Sequence, residues 1–228
     1  MNISHFQYLS AEFIPIMPSH PTSADTALSY LSVREPLCPQ ETDCIMTAAG
    51  LSSRMGEWKM MLPWGSGGAT LLDTSLSNAL RFCHRVLLVT GFRGAELAAR
   101  YQSVKRIQIL HNPDYETGLL SSQRLAAQAV TSEYCFLTHG DVPFLTPEIW
   151  QTLWAQRGDA ALLPCYKQVP GHPVLLSRAC LLAALSQPAG NTMKKRLLAG
   201  PHTFLNMQSD EVITDIDTPE AYQQHYRG

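Results

Sequence analysis

From Asp43 onward, the sequence alternates short, continuous apolar segments with segments of helical periodicity. The candidate strands are Cys44–Thr47, Arg85–Thr90, Arg106–His111 and Tyr134–Thr138. The candidate helices between them are Thr70–Phe82, Gly94–Tyr101 and Leu119–Val130. Strands that are apolar throughout, rather than alternating in polarity, are typical of sheets with helices on both faces. Repeated strand–helix–strand units with short connections therefore predict an α/β fold with a doubly wound, mostly parallel sheet.

The alternation continues beyond Pro143 with less regular spacing. Thr146-Pro147-Glu148 combines an N-cap residue, a proline and an acidic first turn, which predicts a helix to about Arg157. Further strands are predicted at Ala160–Cys165, Val174–Ser177 and Val212–Asp217. Further helices are predicted at Arg178–Ser186, at Thr192–Ala199 and after Thr218-Pro219-Glu220.

Residues 1–41 differ in composition from the rest of the chain. They contain one basic residue, four acidic residues and five prolines. This composition predicts a poorly ordered or loosely docked N-terminal arm, separate from a domain at residues 42–228. The alternative is that an upstream start codon adds residues that have no role.

Composition excludes several classes of protein. Apolar residues make up 45% of the chain, which is enough for a full core, and the net charge of −2 argues against a nucleic-acid partner. No apolar run approaches the ~18 residues that a membrane span needs, so no membrane partner is expected. The six cysteines are scattered without a C-x-x-C pair, which predicts reduced thiols in a cytoplasmic protein.

The first strand leads into a loop of small residues followed by two cations. The loop reads Ala48-Ala49-Gly50-Leu51-Ser52-Ser53-Arg54-Met55-Gly56, and Lys59 follows. Small residues let the backbone approach a ligand closely, and consecutive backbone N–H groups can bind an anion. Arg54 and Lys59 suit a polyphosphate. The alternative is a tight strand–helix turn with incidental basic residues.

Two further segments place carboxylates near predicted strand ends. Asp141 follows the fourth strand and could hold Mg²⁺, because ligands of open α/β sheets bind outside the carboxyl ends of the strands. Asp215 and Asp217 are separated by one residue and are expected on one face of a strand. Asp217 is therefore a candidate for a second Mg²⁺ carboxylate. The alternatives are an Asp that caps a turn at 141 and a solvated Asp before a helix cap at 217.

Three other groups are candidate binding residues. His172 lies in Gly171-His172-Pro173, where turn-forming neighbours present it to a phosphate or an aromatic substrate, unless its role is structural. Asn112, Gly118 and Ser121 surround a helix start whose donors could contact a nucleotide, although simple capping also explains them. Lys194-Lys195-Arg196 either attract an acidic substrate or form a solvated helix face.

Taken together, these motifs resemble one family. The pattern Ala48-Ala49-Gly50-x-Ser52-x-Arg54-Met55-Gly56-x-x-Lys59-x-x-Leu62-Pro63 is similar to the signature loop of the MobA-like nucleotidyltransferases. Gly140-Asp141-x-Pro143, Gly171-His172-Pro173 and Asp215-Ile216-Asp217-Thr218-Pro219 follow in the order of that family. The resemblance covers residues 43 to about 225. It is strongest to the cytidylyltransferase branch, since the guanylyltransferase branch usually has Ala-Gly-Gly where this chain has Ala48-Ala49-Gly50.

The resemblance implies a Rossmann-like fold of the nucleotide-diphospho-sugar transferase type and a Mg²⁺-dependent reaction. CMP would pass from CTP to the phosphate of the molybdopterin cofactor, giving molybdopterin cytosine dinucleotide and pyrophosphate. Lys59 and Arg54 would neutralise phosphate charge, and Asp141 and Asp217 would share Mg²⁺. The nucleotide would contact Ala48, Ala49, Gly50, Leu51, Ser52, Asn112, Gly118 and Ser121. The pterin would contact Gly171, His172 and Pro173, and a recipient molybdoenzyme or its chaperone is a further expected partner.

Two other functions are compatible with the same residues. The first is a nucleotidyltransferase of this fold that uses GTP or acts on a sugar or polyol phosphate. The second is a non-catalytic chaperone that binds the cofactor and delivers it to a molybdoenzyme. The joint presence of Asp141, Asp217, Lys59 and Arg54 argues against the chaperone, because a pure carrier needs neither a metal nor leaving-group residues.

Overall fold

The computed structural model describes residues 29–31, 41–65, 68–188 and 192–226. Its strands are β1 (Asp43–Ala48), β2 (Arg85–Thr90), β3 (Ile107–His111), β4 (Tyr134–His139), β5 (Ala161–Tyr166), β6 (Val169–Pro170), β7 (Val174–Ser177) and β8 (His202–Asn206). Its α-helices are α1 (Leu71–Leu80), α2 (Gly94–Tyr101), α3 (Leu119–Ala129), α4 (Pro147–Ala155), α5 (Arg178–Ser186), α6 (Met193–Ala199) and α7 (Pro219–His225). Short 3₁₀ helices span Lys59–Met61, Tyr115–Thr117 and Asp210–Ile213.

The strands form one sheet in the order β3-β2-β1-β4-β7-β5-β6, and β8 also pairs with β5. The strands β1 to β4 are mutually parallel, β7 is antiparallel to both β4 and β5, and β8 is parallel to β5. The expected doubly wound, mostly parallel sheet is therefore confirmed. The chain adds β2 and β3 on one side of β1 and then crosses to place β4 on the other. In open α/β sheets, ligands bind at such a reversal of strand order.

Helices cover both faces of the sheet, and successive residues of β1 contribute to opposite sides. Cys44, Met46 and Ala48 belong to one hydrophobic cluster, which also contains residues of α1 and α4. Ile45 belongs to a second cluster with residues of α3 and α5. All six residues of β1 are buried, so its apolar sequence reflects burial on both faces.

Two strands were not expected from the sequence, and one expected strand is absent. Four of the five residues of β8 are exposed, so its sequence lacks the apolar signal of a buried strand. The strand β6 is only two residues long. The prediction of a strand at Val212–Asp217 is wrong, because this segment holds the end of a 3₁₀ helix followed by residues outside any strand. Val212 and Ile216 are buried in hydrophobic clusters with residues of other elements, without a strand ladder.

Most of the predicted N-terminal arm lies outside the described residues. Within residues 29–31, which are helical, Leu31 is buried and packs in the same cluster as Leu76 and Leu80 of α1. The boundary at residue 42 stays a prediction. In the part of the chain that the structure describes, no helix is long and apolar enough to cross a membrane.

A buried ionic network fixes the start of α1, where the long loop after β1 ends. Asp73 is fully buried, and its Oδ2 accepts a hydrogen bond of 2.8 Å from the backbone N–H of Thr70. Thr70 Oγ1 accepts one of 3.1 Å from the backbone N–H of Asp73, which completes a capping box. Asp73 also accepts hydrogen bonds from Arg100 and from the Tyr101 hydroxyl at the end of α2.

We predict that Asp73→Asn lowers the free energy of unfolding by roughly 3–5 kcal/mol, because it removes the carboxylate partner of a buried guanidinium. Urea denaturation followed by circular dichroism measures this loss. Glu96→Gln is the matched control, since Glu96 pairs with Arg93 at an exposed site on α2, the helix that carries Arg100, and should change stability by under about 1 kcal/mol. Equal losses in the two variants would contradict the prediction.

Candidate active site

The carboxyl ends of β1 and β4 meet where the strand order reverses. Thr47 lies opposite His139 in the register of the two strands, and the Gly140 backbone N–H donates to the Thr47 carbonyl at 3.0 Å. The loop after β1 carries Arg54 and Lys59, and Asp141 follows β4 directly. The sheet therefore places three of the predicted functional residues on one edge.

Gly140 lies in a closely packed position at the end of β4. A Cβ atom at this position would lie 2.8 Å from Leu72 Cδ1 and 3.0 Å from Met60 Sδ. A larger residue would therefore force the ends of the Leu72 and Met60 side chains to shift. These side chains belong to α1 and to the Lys59–Met61 helix, so Gly140 allows both elements to pack closely against the end of β4.

Arg54, Lys59, Asp141 and Asp217 form one charged cluster. Lys59 Nζ donates to Asp141 Oδ2 and to Asp217 Oδ1. Arg54 Nη2 lies 2.6 Å from Asp217 Oδ2. Lys59 and Asp141 are buried, whereas the Arg54 side chain is 72% exposed. These four residues come from three segments of the sequence, and the fold brings all of them together.

Local structure explains how Lys59 reaches this position. Ser52 adopts a left-handed backbone conformation with φ of 56°, and its carbonyl accepts a hydrogen bond from the Met55 N–H at 2.9 Å. The Ser52 hydroxyl then accepts one from the Lys59 N–H at 3.2 Å. Ser52 therefore folds the loop back and sets the start of the 3₁₀ helix that carries Lys59.

Asp217 is positioned by its neighbour Ile216. The Ile216 side chain is fully buried beside Met55 and Leu62, in a cluster separate from the main core. Its backbone N–H donates to the Asp141 carbonyl at 3.0 Å. The expectation that Asp215 and Asp217 share a strand face is wrong, since Asp217 contacts Lys59 and Arg54 while Asp215 is exposed and no strand is formed.

The cluster keeps its buried members charged. Burial alone would lower the pKa of Lys59, but the carboxylates of Asp141 and Asp217 outweigh burial and raise it. Burial would raise the pKa of Asp141, but the Lys59 ammonium outweighs this effect, and the pKa lies below its ordinary value. The Asp215 side chain is exposed but loses part of its contact with water. This loss and the negative charges of Asp217 and Asp141 raise the pKa of Asp215. The site is thus a compact set of opposite charges at low solvent exposure.

The carboxylates fit a divalent cation. Asp141 Oδ1 is buried and has no hydrogen-bond partner among the residues that the structure describes. Carboxylate oxygens are ligands that Mg²⁺ prefers, and Mg²⁺ usually takes its remaining ligands from water and substrate phosphates. The described ranges contain no group of three or more His, Cys, Asp or Glu side chains arranged around a metal position. Asp141 and Asp217 therefore match a metal that is completed by a bound nucleotide.

The first part of the loop after β1 is partly open to solvent. Ala48 and Ala49 are buried, whereas Gly50 and Leu51 are exposed, and a Cβ atom at Gly50 would contact nothing within 4 Å. The Ala49 carbonyl accepts a hydrogen bond from the Phe92 N–H at 3.1 Å, which ties the loop to the end of β2. The predicted nucleotide contacts of Ala48 to Ser52 remain predictions, and the space around Gly50 is compatible with them.

The polar side chains that follow β3 are bonded to one another. Asn112 is buried, and its Nδ2 donates to Ser121 Oγ at 2.8 Å and to Ser122 Oγ at 2.9 Å. Its Oδ1 accepts from the Asp114 N–H at 3.0 Å. Gly118 has φ of 112° and precedes α3. These residues shape the turn before α3, and their predicted contacts with a nucleotide stay predictions.

His172 pairs with a second histidine that the sequence analysis did not assign. The rings of His172 and His139 lie 4.3 Å apart in an edge-to-face arrangement. His139 Nδ1 is 2.7 Å from Thr47 Oγ1, and His172 Nδ1 is 3.3 Å from the Leu137 carbonyl oxygen. Burial, with a smaller effect from His139, lowers the pKa of His172 to about 3, so this ring is neutral at physiological pH. The signal for His139 was its place directly before Gly140-Asp141.

A pocket of about 150 Å³ adjoins the two histidines. Gln123 of α3, Lys194 of α6 and Gly171 are among its lining residues.

Lys194 and Lys195 are exposed, in accord with a basic helix face, but Arg196 is fully buried and donates to the carbonyls of Ala184 and Gln187 at the end of α5. Arg196 is therefore structural, and neither interpretation of the Lys194-Lys195-Arg196 segment applies to it.

The family model of the MobA-like NTP transferase domain matches residues 44–209. The chain belongs to this family. It is a nucleotidyltransferase, and the matched segment contains Arg54, Lys59 and Asp141, whereas Asp217 lies just beyond it.

Individual relatives agree with this assignment. The molybdenum cofactor cytidylyltransferase of Escherichia coli (strain K12) is 53% identical over 180 residues, which cover 79% of this chain and 93% of that protein. A nucleotidyl transferase structure from Methanothermobacter has a TM-score of 0.69 at 18% identity, covering 81% of this chain and 95% of that one. A Mycobacterium tuberculosis H37Rv structure in complex with manganese has a TM-score of 0.63 at 21% identity, covering 81% and 97%. The two structures confirm the fold expected from the sequence.

We predict that Gly171→Ala destabilises the protein, because the new Cβ atom would lie 1.9 Å from the Val212 carbonyl oxygen. Overpacking of this kind costs roughly 1–3 kcal/mol. Chemical denaturation measures the loss. Gly158→Ala is the matched control, since a Cβ atom there contacts nothing within 4 Å, and it should change stability by at most about 0.5 kcal/mol. Wild-type stability in Gly171→Ala would show that the Gly171–Val212 contact is easily displaced.

Proposed function

We propose that this protein is a Mg²⁺-dependent cytidylyltransferase that acts on the molybdopterin molybdenum cofactor. The reaction transfers CMP from CTP to the cofactor phosphate and yields molybdopterin cytosine dinucleotide and pyrophosphate. The observation that carries the proposal is the convergence of Arg54, Lys59, Asp141 and Asp217 at the reversal of strand order. The 53% identical relative named for this activity supports the choice of CTP and of the cofactor.

The residues of the cluster suit a reaction that needs positioning and charge neutralisation rather than covalent catalysis by the protein. An oxygen of the cofactor phosphate forms a bond to the α-phosphorus of CTP, and the bond from that phosphorus to the β-phosphate oxygen breaks. Lys59 and Arg54 neutralise negative charge on the α-phosphate and on the departing pyrophosphate. Asp141 and Asp217 hold Mg²⁺, which when bound screens the charge of the phosphate oxygens.

The proposed reaction needs no general base from the protein. The cofactor phosphate is already ionised at neutral pH, so no side chain has to remove a proton from it. The low pKa of His172 keeps its ring neutral, which favours a role in binding over proton transfer. We assign Gly171, His172 and Pro173, with the adjoining pocket, to the cofactor side.

Other observations support the finer points of the proposal. A structural relative was solved as a complex with manganese, which is in accord with the use of a divalent metal. The described cysteines Cys44, Cys83, Cys135, Cys165 and Cys180 are free, in accord with a reducing compartment such as the cytoplasm. A recipient molybdoenzyme or its chaperone remains the expected further partner.

A nucleotide panel tests the substrate. We expect pyrophosphate release when CTP, Mg²⁺ and loaded cofactor are all present, and little or none when GTP or ATP replaces CTP. A coupled pyrophosphate assay measures it, with cofactor omitted as the control. Turnover with GTP, or CTP turnover with a sugar phosphate in place of the cofactor, would contradict the proposed substrates. Cofactor binding without turnover or CTP binding, measured by calorimetry, would favour a chaperone.

A substitution tests the metal residues. We expect Asp141→Asn to lower kcat roughly 100-fold or more, because it removes charge from a preorganised electrostatic site. Asp215→Asn is the matched control, since it makes the same chemical change two residues from Asp217 at an exposed carboxylate, and its effect should be much smaller. Steady-state kinetics at saturating Mg²⁺ measures both variants. Unchanged turnover in Asp141→Asn would remove Asp141 from the metal site.

A further inference from the structure

We infer that Lys59 competes with the divalent cation for Asp141 and Asp217. Tight metal binding therefore depends on a nucleoside triphosphate whose oxygens accept the hydrogen bonds of Lys59. The inference rests on the proposed function, because it concerns the metal and nucleotide of that same site. It assigns Lys59 a part in the order of binding in addition to charge neutralisation.

Lys59 is bonded to the same two side chains that fit the metal. Its ammonium donates to Asp141 Oδ2 and to Asp217 Oδ1, so it takes one oxygen of each carboxylate. Lys59 is 9% exposed and Asp141 is 8% exposed, so these bonds lie largely out of water. Charged hydrogen bonds at low solvent exposure are stronger than those at a surface. Asp141 Oδ1 is open to a cation, but a cation that binds both carboxylates comes to lie beside this buried ammonium, which opposes it by charge unless Lys59 moves away.

The charges of the cluster explain why metal alone should bind weakly. The two carboxylates are balanced by the ammonium of Lys59 and the guanidinium of Arg54. Asp215 adds one further negative charge near this set, so a divalent cation that enters still leaves an excess of positive charge. A triphosphate supplies that negative charge and gives Lys59 new oxygen partners. Nucleotide and metal should thus tighten each other's binding through Lys59, since such coupling is reciprocal.

Arg54 also contacts a carboxylate, but its position differs from that of Lys59. Within the part of the chain that the structure describes, it pairs with Asp217 alone, through the Oδ2 atom, and its side chain is 72% exposed. Exposed ion pairs contribute little because water competes for both charges. Removal of Arg54 therefore serves as a control. It takes one positive charge from the same site but leaves intact the buried bridge that Lys59 forms between the two carboxylates.

The direct test measures binding of Mn²⁺ alone by electron paramagnetic resonance, with the full chain and without nucleotide. We expect Lys59→Met to bind Mn²⁺ at least about tenfold more tightly than the wild type, because two partly desolvated carboxylates lose their competing cation. Arg54→Met should change the affinity by less than about threefold. Equal Mn²⁺ affinity in the wild type and in folded Lys59→Met, or a similar gain in both variants, overturns the inference.

A second measurement titrates the wild-type protein, in case Lys59→Met does not fold, and uses a variant only to assign the signal. Nuclear magnetic resonance detects the ammonium groups of lysines that are hydrogen-bonded, as Lys59 is. The signal of Lys59 is the one that disappears in the variant Lys59→Arg. Saturation with Mg²⁺ should remove or shift that signal, and its persistence at saturation overturns the inference. Both measurements omit nucleotide, so failure of the CTP panel would leave their result standing.

Discussion

The central position of β1 between β2 and β4 is the constraint on which the rest of the structure depends. All six residues of β1 are buried, and parallel hydrogen bonding on both sides fixes where the strand ends. The loop that carries Arg54 and Lys59 therefore starts beside the end of β4, which leads into Asp141. A strand buried on both faces resists displacement, since any shift would move apolar side chains out of two cores at once. The rigidity of the charged site thus originates in hydrophobic packing beneath it.

The charged cluster shows how apolar contacts determine polar geometry. Asp217 is 158 residues distant in sequence from Lys59, and its buried neighbour Ile216 anchors it. Gly140 has a corresponding role, because its missing side chain makes room for Leu72 and Met60 next to Lys59. These small or apolar positions make no contact with a phosphate in the proposed reaction. Substitutions at them would nevertheless move charged atoms, so chemistry at this site is as sensitive to packing as to charge.

The parallel core could be read from the sequence because strands buried on both faces are continuous apolar runs. The same logic placed Asp141 correctly at the end of β4. The exposed edge strand β8 gave no such signal, and the segment around Val212 gave a false one, because residues buried outside any strand ladder can produce the same apolar pattern as a strand. The sequence also grouped Arg196 with Lys194 and Lys195, although Arg196 is buried against backbone carbonyls. Its burial depends on the turn after α5, which local pattern does not reveal.

The reversed direction of β7 has a consequence for how one edge of the sheet can serve two substrates. In a wholly parallel sheet, only segments that leave the strands reach the carboxyl edge. Because β7 runs antiparallel to β4, the segment that enters it, Gly171-His172-Pro173, lies at the edge where His139 leaves β4. The residues that bind the nucleotide and the residues that bind the acceptor substrate can thus come from separate parts of the chain. Changes in the segment that enters β7 could alter the choice of acceptor while the nucleotide end of the site stays intact.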